Sequence, residues 1–378
     1  MEKEFIGIGS ISRFAEILEH EKPRKIFLVA DKGAYGKSGA ENLLSPMLSR
    51  AQSFVFSDFG ENPKIQDIEK GIEEYNSFFP DVVVAVGGGS ALDMAKSVNV
   101  LANQKGNPLD YVLKRKEITN QGKPLVAIPT TAGTGAEATH FAVIYLDKTK
   151  HSLAHAFVKP TYSIVDPQLT FSLPPRITAS TGMDALSQAI ESFWSNKSTE
   201  ESKGYAREAI SFILPNLSAA VNSPTPEARE AMSKGAHLAG KAIDISQTTA
   251  SHAISYPITS FFGVPHGHAV GLTIPSMVLF NSEADEKSVS DERGLEYVKE
   301  TMAELLEMLG SKNGEDTKQK IEDLMKEIHL ETKLGDLGIQ TKEDRERIVE
   351  NGFNPERMKN NPRLVTEDVL RSILERIV

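Results

Sequence analysis

Short apolar runs alternate with helix-like stretches through the first half of the chain. The runs lie at residues 25–31, 53–60, 81–90 and 124–135, and turn-forming residues follow the apolar core of each run. Continuous apolar runs of this length, separated by helical stretches, are typical of parallel strands that are buried on both faces. The pattern therefore predicts βαβ units and a doubly wound, Rossmann-like α/β sheet.

The pattern changes after a cluster of three prolines between residues 167 and 175. Beyond this point strand signals are scarce, and amphipathic helical patterns dominate. We predict a dinucleotide-binding α/β domain over residues 1–172 and an all-helical metal and substrate domain over residues 173–378. The predicted helices of the second domain include residues 182–194, 205–222, 226–243 and 250–261.

Composition narrows the possible functions. The 378 residues are 40% hydrophobic and 25% charged, as in soluble globular proteins. A formal net charge of −10 argues against general binding to nucleic acid or to an anionic membrane surface, because either partner requires a cationic face. The chain has no cysteine, so a disulfide, a thiolate metal site and a cysteine nucleophile are excluded.

The sequence also bears on location. The N-terminal residues are charged throughout and do not resemble a signal peptide. The apolar runs are too short to span a bilayer. With the absence of cysteine, these features lead us to expect a cytoplasmic protein that has no membrane partner.

Gly87-Gly88-Gly89-Ser90 follows the third apolar run and precedes a predicted helix over residues 91–101. Glycines at this junction let backbone N–H groups approach an anion closely, and the helix N-terminus adds partial positive charge. The carboxyl end of a parallel strand is also where a dinucleotide pyrophosphate binds. A tight turn without a ligand is the alternative, and the three consecutive glycines favour the phosphate site.

Other residues could complete a nucleotide site. Asp31 follows the first apolar run, where a carboxylate can bind a ribose 2′-hydroxyl and repel a 2′-phosphate, which favours NAD over NADP. An ordinary turn aspartate is the alternative. Thr130, Thr131 and residues 133–135 could form a second wall, and a plain surface loop explains them equally well. Residues 7–10 also contain glycines, but we expect no strand before them and assign them no role.

Side chains able to bind a divalent metal occur together in the second half. Asp184 and Gln188 are four residues apart on a predicted helix, as are His252 and Tyr256 on another, so each pair shares a helix face. His266 follows His252 by fourteen residues. Aspartate, amide and imidazole ligands suit Fe²⁺, Zn²⁺ or Mn²⁺. Structural residues without a metal are the alternative, and spacing alone favours neither interpretation.

Taken together, the motifs resemble the iron-containing (group III) alcohol dehydrogenase family over essentially the whole chain. The resemblance rests on Gly87-GGSALDMAK-Ser97, Pro129-TTAGTGAEA-Thr139, the Asp166-Pro167 and Leu173-Pro174 pairs, Thr181-GMDA-Leu186, and His252 with Pro265-His266-Gly267. It implies a dehydroquinate synthase-like architecture in which a cleft between the two domains holds NAD(P) and a catalytic metal. It also implies a homo-oligomer, a dimer or larger.

The resemblance implies roles for individual residues. The implied nucleotide contacts are Asp31 for a ribose, Gly87, Gly88, Gly89 and Ser90 for the pyrophosphate, Thr130 and Thr131 on the adenine side, Asp93, and Lys150 near the nicotinamide ribose. The implied metal ligands are Asp184, His252 and His266, with Fe²⁺ expected before Zn²⁺. The fourth family ligand is a histidine and is Gln188 here, so either the weaker amide oxygen or a water would complete the site.

Catalysis and substrate follow from the same resemblance. Tyr256 replaces a histidine that is common in the family, and its phenol could relay a proton if its acidity is tuned. Residues 182–194, 240–243 and 248–270 look like the phosphonoacetaldehyde reductase branch, which reduces 2-phosphonoacetaldehyde to 2-hydroxyethylphosphonate. A phosphonate requires cationic or N–H partners, and we assign that role to Lys241 and His268. A snorkelling surface lysine is the alternative for Lys241.

The sequence therefore predicts hydride transfer between NAD(P)H and an aldehyde whose oxygen a metal polarises. The substrate is a small aldehyde or alcohol. Two alternatives stay open. One is a general iron-type alcohol dehydrogenase for uncharged short-chain substrates. The other is a nucleotide-binding sensor without a metal, which the replacement of histidine by Gln188 allows.

Overall fold

The computed structural model describes residues 3–378 and divides into two units. The first unit ends at Leu173, and the second spans Pro174–Val378. The first contains a parallel sheet with helices, and the second is built from helices, which confirms the predicted fold class. None of the helices within residues 3–378 combines the length and the apolar character that a membrane crossing requires.

The elements of the first unit have the following bounds. Its strands are β1 Lys3–Ile6, β2 Lys25–Ala30, β3 Gln52–Phe56, β4 Val82–Gly87, β5 Leu125–Pro129, β6 Phe141–Leu146, β7 Thr149–Ala154 and β8 Tyr162–Val165. Its helices are α1 Phe14–Glu21, α2 Lys32–Lys37, α3 Ala40–Leu48, α4 Ile65–Phe78, α5 Gly89–Leu101 and α6 Pro108–Val112. Short 3-10 helices occur at Ser10–Arg13, Ala136–Ala138, Ala156–Val158 and Pro167–Thr170.

In the described part of the chain, six strands form a parallel sheet in the order β1-β8-β5-β4-β2-β3. Successive side chains of β2 and β4 point to opposite faces. Phe27 and Val83 pack with α4 and α5 on one face, whereas Leu28 and Val84 pack with α1 and α3 on the other. Helices cover both faces, and for this reason the central strands are apolar throughout.

Strands β1 and β8 and the antiparallel pair formed by β6 and β7 were not predicted from the sequence. Because β1 precedes residues 7–10, the expectation that no strand comes before them is wrong. This strand has only four residues, carries Lys3 and Glu4, and leaves Ile6 40% exposed. An edge strand has a neighbour on one side only, so it lacks the continuous apolar run that revealed the central strands.

The register of the central strands aligns their carboxyl ends. Ala30 pairs with Val86, and Gly87 pairs with Pro129, so β2, β4 and β5 end at one edge of the sheet. The chain passes from β2 outward to β3 and then crosses to β4 on the opposite side of β2. A sheet that changes winding direction in this way leaves a crevice for ligands at the carboxyl ends of its strands.

The second unit is entirely helical. Its helices are α7 Pro175–Trp194, α8 Glu200–Ile213, α9 Leu217–Asn222, α10 Pro226–Ser246, α11 Ala250–Phe262, α12 His266–Ser282, α13 Leu295–Met308, α14 Gly314–Glu327, α15 Lys342–Gly352, α16 Pro355–Met358 and α17 Glu367–Arg376, with a 3-10 helix at Gly335–Leu337. The helix predicted over residues 205–222 is two helices, α8 and α9. Pro215 lies between them, and proline disfavours the helical conformation of the residue before it.

Helix α7 is the central helix of this unit and is buried over most of its length. It packs against α8, α10 and α12. Helix α12 lies very close to α7 at Gly267. A methyl group added at Gly267 would lie 2.0 Å from the carbonyl oxygen of Ser180 and 2.7 Å from the Cβ of Asp184. Only glycine permits this separation between the two helices.

We expect Gly267→Ala to lower the free energy of unfolding by about 3 kcal/mol, because α12 must move away from α7 to accommodate the methyl group. Urea denaturation measures this change. Gly204→Ala in α8 is the control, since no atom lies within 4 Å of its added methyl. Alanine there should raise stability by up to about 1 kcal/mol through helix propensity. Equal destabilisation by both substitutions would contradict the close-approach explanation.

Candidate functional site

The glycine turn after β4 is shaped by close contact with the loop that follows β5. Gly87 has φ of +149°, a value that favours glycine, and Gly88 precedes α5 without any side-chain cap. A methyl group added at Gly88 would lie 3.5 Å from the Thr131 side chain, and one added at Gly89 would lie 2.8 Å from the Thr134 side chain. The turn therefore presents the N-terminus of α5 between small residues, as an anion site requires.

Further predicted nucleotide contacts lie at the same edge of the sheet. A methyl group added at Gly87 would lie 3.5 Å from the Cβ of Asp31. The N–H of Thr130 donates to the carbonyl of Gly87 at 2.9 Å. Asp31 also caps α2, because its Oδ1 accepts a hydrogen bond from the Ala34 N–H at 2.7 Å. The turn role and the predicted ribose role of Asp31 are thus compatible.

Two hydroxyl groups at this edge differ in their hydrogen bonding. The hydroxyl of Ser90 accepts a hydrogen bond from the Asn62 N–H at 3.1 Å. The Thr130 hydroxyl is buried and has no hydrogen-bond partner among residues 3–378. Buried polar atoms are normally satisfied, so this hydroxyl is available to a ligand at the sheet edge.

Asp93 lies four residues after Gly89 and is buried. Its Oδ2 accepts a hydrogen bond from the Val143 N–H at 3.0 Å. Burial raises the pKa of Asp93 to about 6, although the charges of Lys96 and Lys150 oppose the increase. The nucleotide roles of Asp93 and Lys150 stay predictions. Lys96 lies one turn after Asp93 on α5, and its Nζ donates to the Thr139 hydroxyl and to the Phe141 carbonyl at 2.9 Å each.

Asp184, His252 and His266 form one group in the second unit. Their ligand atoms all lie within 4.8 Å of one another. Asp184 Oδ1 is 3.3 Å from His252 Nε2 and 3.9 Å from His266 Nε2. Helices α7, α11 and α12 each contribute one of these side chains. One carboxylate and two imidazoles at these separations can coordinate a single divalent ion.

Gln188 lies one turn beyond Asp184 on α7 and is only 4% exposed. Its Oε1 is buried and has no hydrogen-bond partner within residues 3–378. A buried amide oxygen without a donor costs about 1–3 kcal/mol, which contact with a cation would offset. The residues present therefore fit a divalent metal such as Fe²⁺ or Zn²⁺. Coordination by Gln188 itself stays a prediction.

Glu191 orients His252 and was not identified from the sequence. Its fully buried carboxylate accepts hydrogen bonds from the Thr249 hydroxyl at 2.6 Å, from the Ser251 N–H at 2.9 Å and from Nδ1 of His252. A carboxylate at Nδ1 fixes the imidazole tautomer and directs the Nε2 lone pair toward a metal. The signal was available, because Glu191 follows Asp184 by seven residues and shares its helix face.

The electrostatics of this group favour a positive charge. Burial alone would keep His252 neutral. The negative charges of Glu191 and Asp184 outweigh that effect and raise the pKa of His252 to about 10. A divalent cation at Nε2 would replace the proton and satisfy the same two carboxylates.

Tyr256 lies beside the group, one turn after His252 on α11. Its ring stacks on the imidazole of His266, with the ring centres 5.8 Å apart and the planes at 16°. The Ser255 hydroxyl lies 3.3 Å from Nδ1 of His266. The structure thus places the predicted proton relay next to a predicted metal ligand, and the relay itself stays a prediction.

The other two candidate catalytic residues make different contacts. His268 is fully buried, and its Nε2 donates to the backbone carbonyl of Glu331 at 2.7 Å. Burial lowers its pKa and keeps the imidazole neutral. Lys241 Nζ lies 4.8 Å from the centre of the Tyr205 ring, a cation–π contact. Neither residue belongs to the group formed by Asp184, His252 and His266, and their catalytic roles stay predictions.

Comparison with known proteins identifies the family. Residues 2–167 match the model for iron-containing alcohol dehydrogenase, and residues 178–378 match that for the C-terminal part of the Fe-containing alcohol dehydrogenase family. The chain belongs to the iron-containing alcohol dehydrogenase family. It is an NAD(P)-dependent oxidoreductase of alcohols and aldehydes, as the sequence predicted, and the family depends on a metal ion.

Three relatives illustrate the range within this family. A phosphonoacetaldehyde reductase from Streptomyces viridochromogenes is 32% identical over 80% of this chain and 79% of its own length. Long-chain-alcohol dehydrogenase 1 from Geobacillus thermodenitrificans is 33% identical over 76% of this chain and 73% of its own. The crystal structure of sulfoacetaldehyde reductase from Bifidobacterium kashiwanohense with NAD⁺ has a TM-score of 0.89 and 33% identity, covering 100% of this chain and 96% of that one.

We expect Asp93→Asn to stabilise this alcohol dehydrogenase in a pH-dependent way. Folded Asp93 keeps its proton up to a pH of about 6, whereas the ordinary aspartate pKa is 3.8. Wild-type stability therefore falls as pH rises between these values, and asparagine removes that loss. The pH-dependent part of the stability difference should be about 0.5 kcal/mol at pH 4 and about 3 kcal/mol at pH 7. Urea denaturation at both pH values measures it, and a difference independent of pH would contradict the buried-carboxyl explanation.

We expect Glu191→Gln to weaken metal binding by about 10–100-fold, because an amide no longer fixes the His252 tautomer. Titration of the metal-free protein with Zn²⁺ or Fe²⁺, followed by calorimetry, gives the dissociation constant. Glu331→Gln is the matched control, since the Glu331 carboxylate pairs with Arg176 and lies 3.7 Å from His268. Unchanged affinity in Glu191→Gln, or an equal loss in the control, would exclude this orienting role.

Proposed function

We propose that this alcohol dehydrogenase reduces 2-phosphonoacetaldehyde to 2-hydroxyethylphosphonate. The group formed by Asp184, His252 and His266 carries the proposal of metal-assisted aldehyde reduction, because it collects ligands suited to a divalent ion. The substrate rests on the relatives. Phosphonoacetaldehyde and sulfoacetaldehyde, which name two of them, share an aldehyde next to a negatively charged tetrahedral group.

Asp184, His252, His266 and Gln188 would hold the metal, with Fe²⁺ proposed before Zn²⁺. The ion would polarise the aldehyde oxygen as a Lewis acid. Glu191 would keep His252 oriented through Nδ1. These residues would hold the ion that supplies positive charge to the carbonyl oxygen as negative charge develops there.

The first unit would bind the nucleotide. The proposed contacts are Asp31 for a ribose, Gly87, Gly88, Gly89 and Ser90 for the pyrophosphate, Thr130 and Thr131 on the adenine side, and Asp93 with Lys150 toward the nicotinamide ribose. NADH is proposed before NADPH, because the Asp31 carboxylate would repel a 2′-phosphate. The bound nucleotide supplies the hydride.

The proton reaches the new alcohol through Tyr256. Its ring stacks on the imidazole of His266, a proposed metal ligand, and its phenol is a group that can donate a proton. The overall reaction consumes one aldehyde, one NADH and one proton, and yields one alcohol and one NAD⁺. Lys241 and His268 are retained as proposed contacts of the phosphonate.

An uncharged substrate is the second candidate function. It is favoured by the long-chain-alcohol dehydrogenase, which is as similar to this chain as the phosphonoacetaldehyde reductase. A sensor without a metal is a weaker candidate, because the buried oxygen of Gln188 lacks a donor. Cytoplasmic location and a dimer or larger oligomer stay predictions.

We expect NADH oxidation to be fastest with phosphonoacetaldehyde, with kcat/KM at least about tenfold above that for propanal. Chelation should abolish activity, and Fe²⁺ or Zn²⁺ should restore it, because the polarised carbonyl depends on the ion. A parallel assay with sulfoacetaldehyde tests whether the enzyme prefers a phosphonate or a sulfonate. A parallel assay with NADPH tests whether Asp31 excludes the 2′-phosphate. A higher kcat/KM for propanal would contradict the phosphonate substrate and favour an uncharged one. Activity that survives chelation would contradict the role of the metal.

A further inference from the structure

A positive charge lies beside the aromatic ring that covers the proposed metal ligands. The guanidinium carbon of Arg357 is 5.3 Å from the centre of the Tyr256 ring. The same ring stacks on His266 with the centres 5.8 Å apart, and His266 Nε2 is 3.9 Å from Asp184 Oδ1. Two short ring contacts therefore connect a cation to the metal-binding group.

Arg357 makes no ion pair with a carboxylate among the described residues, and its guanidinium donates no hydrogen bond there. The neighbouring Lys359 differs, because it pairs with Glu356 at 2.6 Å. The chain carries 52 acidic and 42 basic residues, so carboxylate partners are abundant. An arginine that keeps its five donors unused beside a catalytic group is suited to bind an anionic ligand.

The backbone that carries Arg357 is held in place. The side chain of Asn354 caps α16 and accepts a hydrogen bond from the Arg357 N–H. Three residues further on, Nδ2 of Asn360 donates to the carbonyl oxygens of Ser246 and Thr248 at 3.0 Å each. A cation on a fixed segment loses little conformational entropy when it binds a ligand.

We propose that Arg357 binds the tetrahedral oxyanion of the substrate, a phosphonate or a sulfonate, and thereby determines the substrate class. This proposal rests on the proposed function. The planar fork of guanidinium donors matches two oxygens of such a group. In these substrates two carbon atoms separate the acid group from the aldehyde oxygen, so the proposal requires the guanidinium to reach past the Tyr256 ring to a substrate held at the proposed metal ligands. Tyr256 holds the guanidinium through a cation–π contact.

Two other cations enter the test: Lys241 is the rival candidate for the phosphonate, and Arg347 provides the matched comparison. Lys241, which the sequence suggested for the same role, lies over Tyr205. Arg347 lies 5.8 Å from the ring centre of Phe261, which belongs to α11, the helix that also carries Tyr256. Removal of Arg347 therefore changes the net charge and removes an arginine from an aromatic ring of α11. It leaves the contact between Arg357 and Tyr256 unchanged.

The test compares Arg357→Met with Arg357→Lys, Arg347→Met and Lys241→Met in the metal-loaded enzyme. We expect Arg357→Met to lower kcat/KM for phosphonoacetaldehyde and sulfoacetaldehyde by about 100-fold, chiefly through KM. Activity with propanal should stay within about twofold of wild type, which also shows that the variant folds. Arg357→Lys should recover part of the loss, because it keeps the charge without the fork. Calorimetric binding of 2-hydroxyethylphosphonate should weaken in parallel.

The remaining outcomes overturn the proposal in distinguishable ways. Wild-type preference for propanal overturns both the phosphonate substrate and the role of Arg357. A preference for anionic aldehydes that survives Arg357→Met, or that only Lys241→Met removes, overturns the role of Arg357 alone. An equal loss for propanal, or an equal effect of Arg347→Met, indicates a structural or general charge effect and overturns it as well. The better of the two acids in wild type identifies the oxyanion.

Discussion

Two carboxylates buried on one face of α7 set the chemistry of the second unit. Asp184 and Glu191 lie seven residues apart, and both contact His252, one at each ring nitrogen. Buried negative charge is costly unless a cation or hydrogen-bond donors compensate it. The donors around Glu191 satisfy one carboxylate, and Asp184 lies against Nε2 of His252 and of His266. A divalent ion bound there would compensate the buried negative charge, and the close approach of α12 to α7 at Gly267 brings His266 into this group.

The first unit depends on a different constraint, the need for small residues where strands end. The turn after β4 and the loop after β5 touch, and the glycines at residues 87–89 allow that contact without displacing the N-terminus of α5. The parallel register brings Asp31 and Thr130 to the same edge. The proposed pyrophosphate site therefore rests on backbone geometry at a helix N-terminus, whereas the proposed ribose contact rests on the Asp31 carboxylate.

Departures from the family pattern concern the substrate and the metal. If Gln188 coordinates the proposed metal, its neutral oxygen would take the place of an imidazole, which would make the ligand set harder without changing the net charge of the site. Tyr256 replaces another histidine and offers a ring on which a guanidinium can rest. These two positions lie on the faces of α7 and α11 that bear Asp184 and His252. Changes there can redirect specificity while the reduction chemistry is retained.

The sequence by itself determined the succession of β2, β3, β4 and β5 along the chain, the glycine turn, the family and the residue types of the metal group, because each depends on local periodicity or on a short motif. It did not reveal the edge strand β1, which lacks a buried run, or the break between α8 and α9. Tertiary structure alone placed Glu191 against His252 and Arg357 over Tyr256. Residues far apart in the chain meet only when helices pack, and no local pattern records that contact.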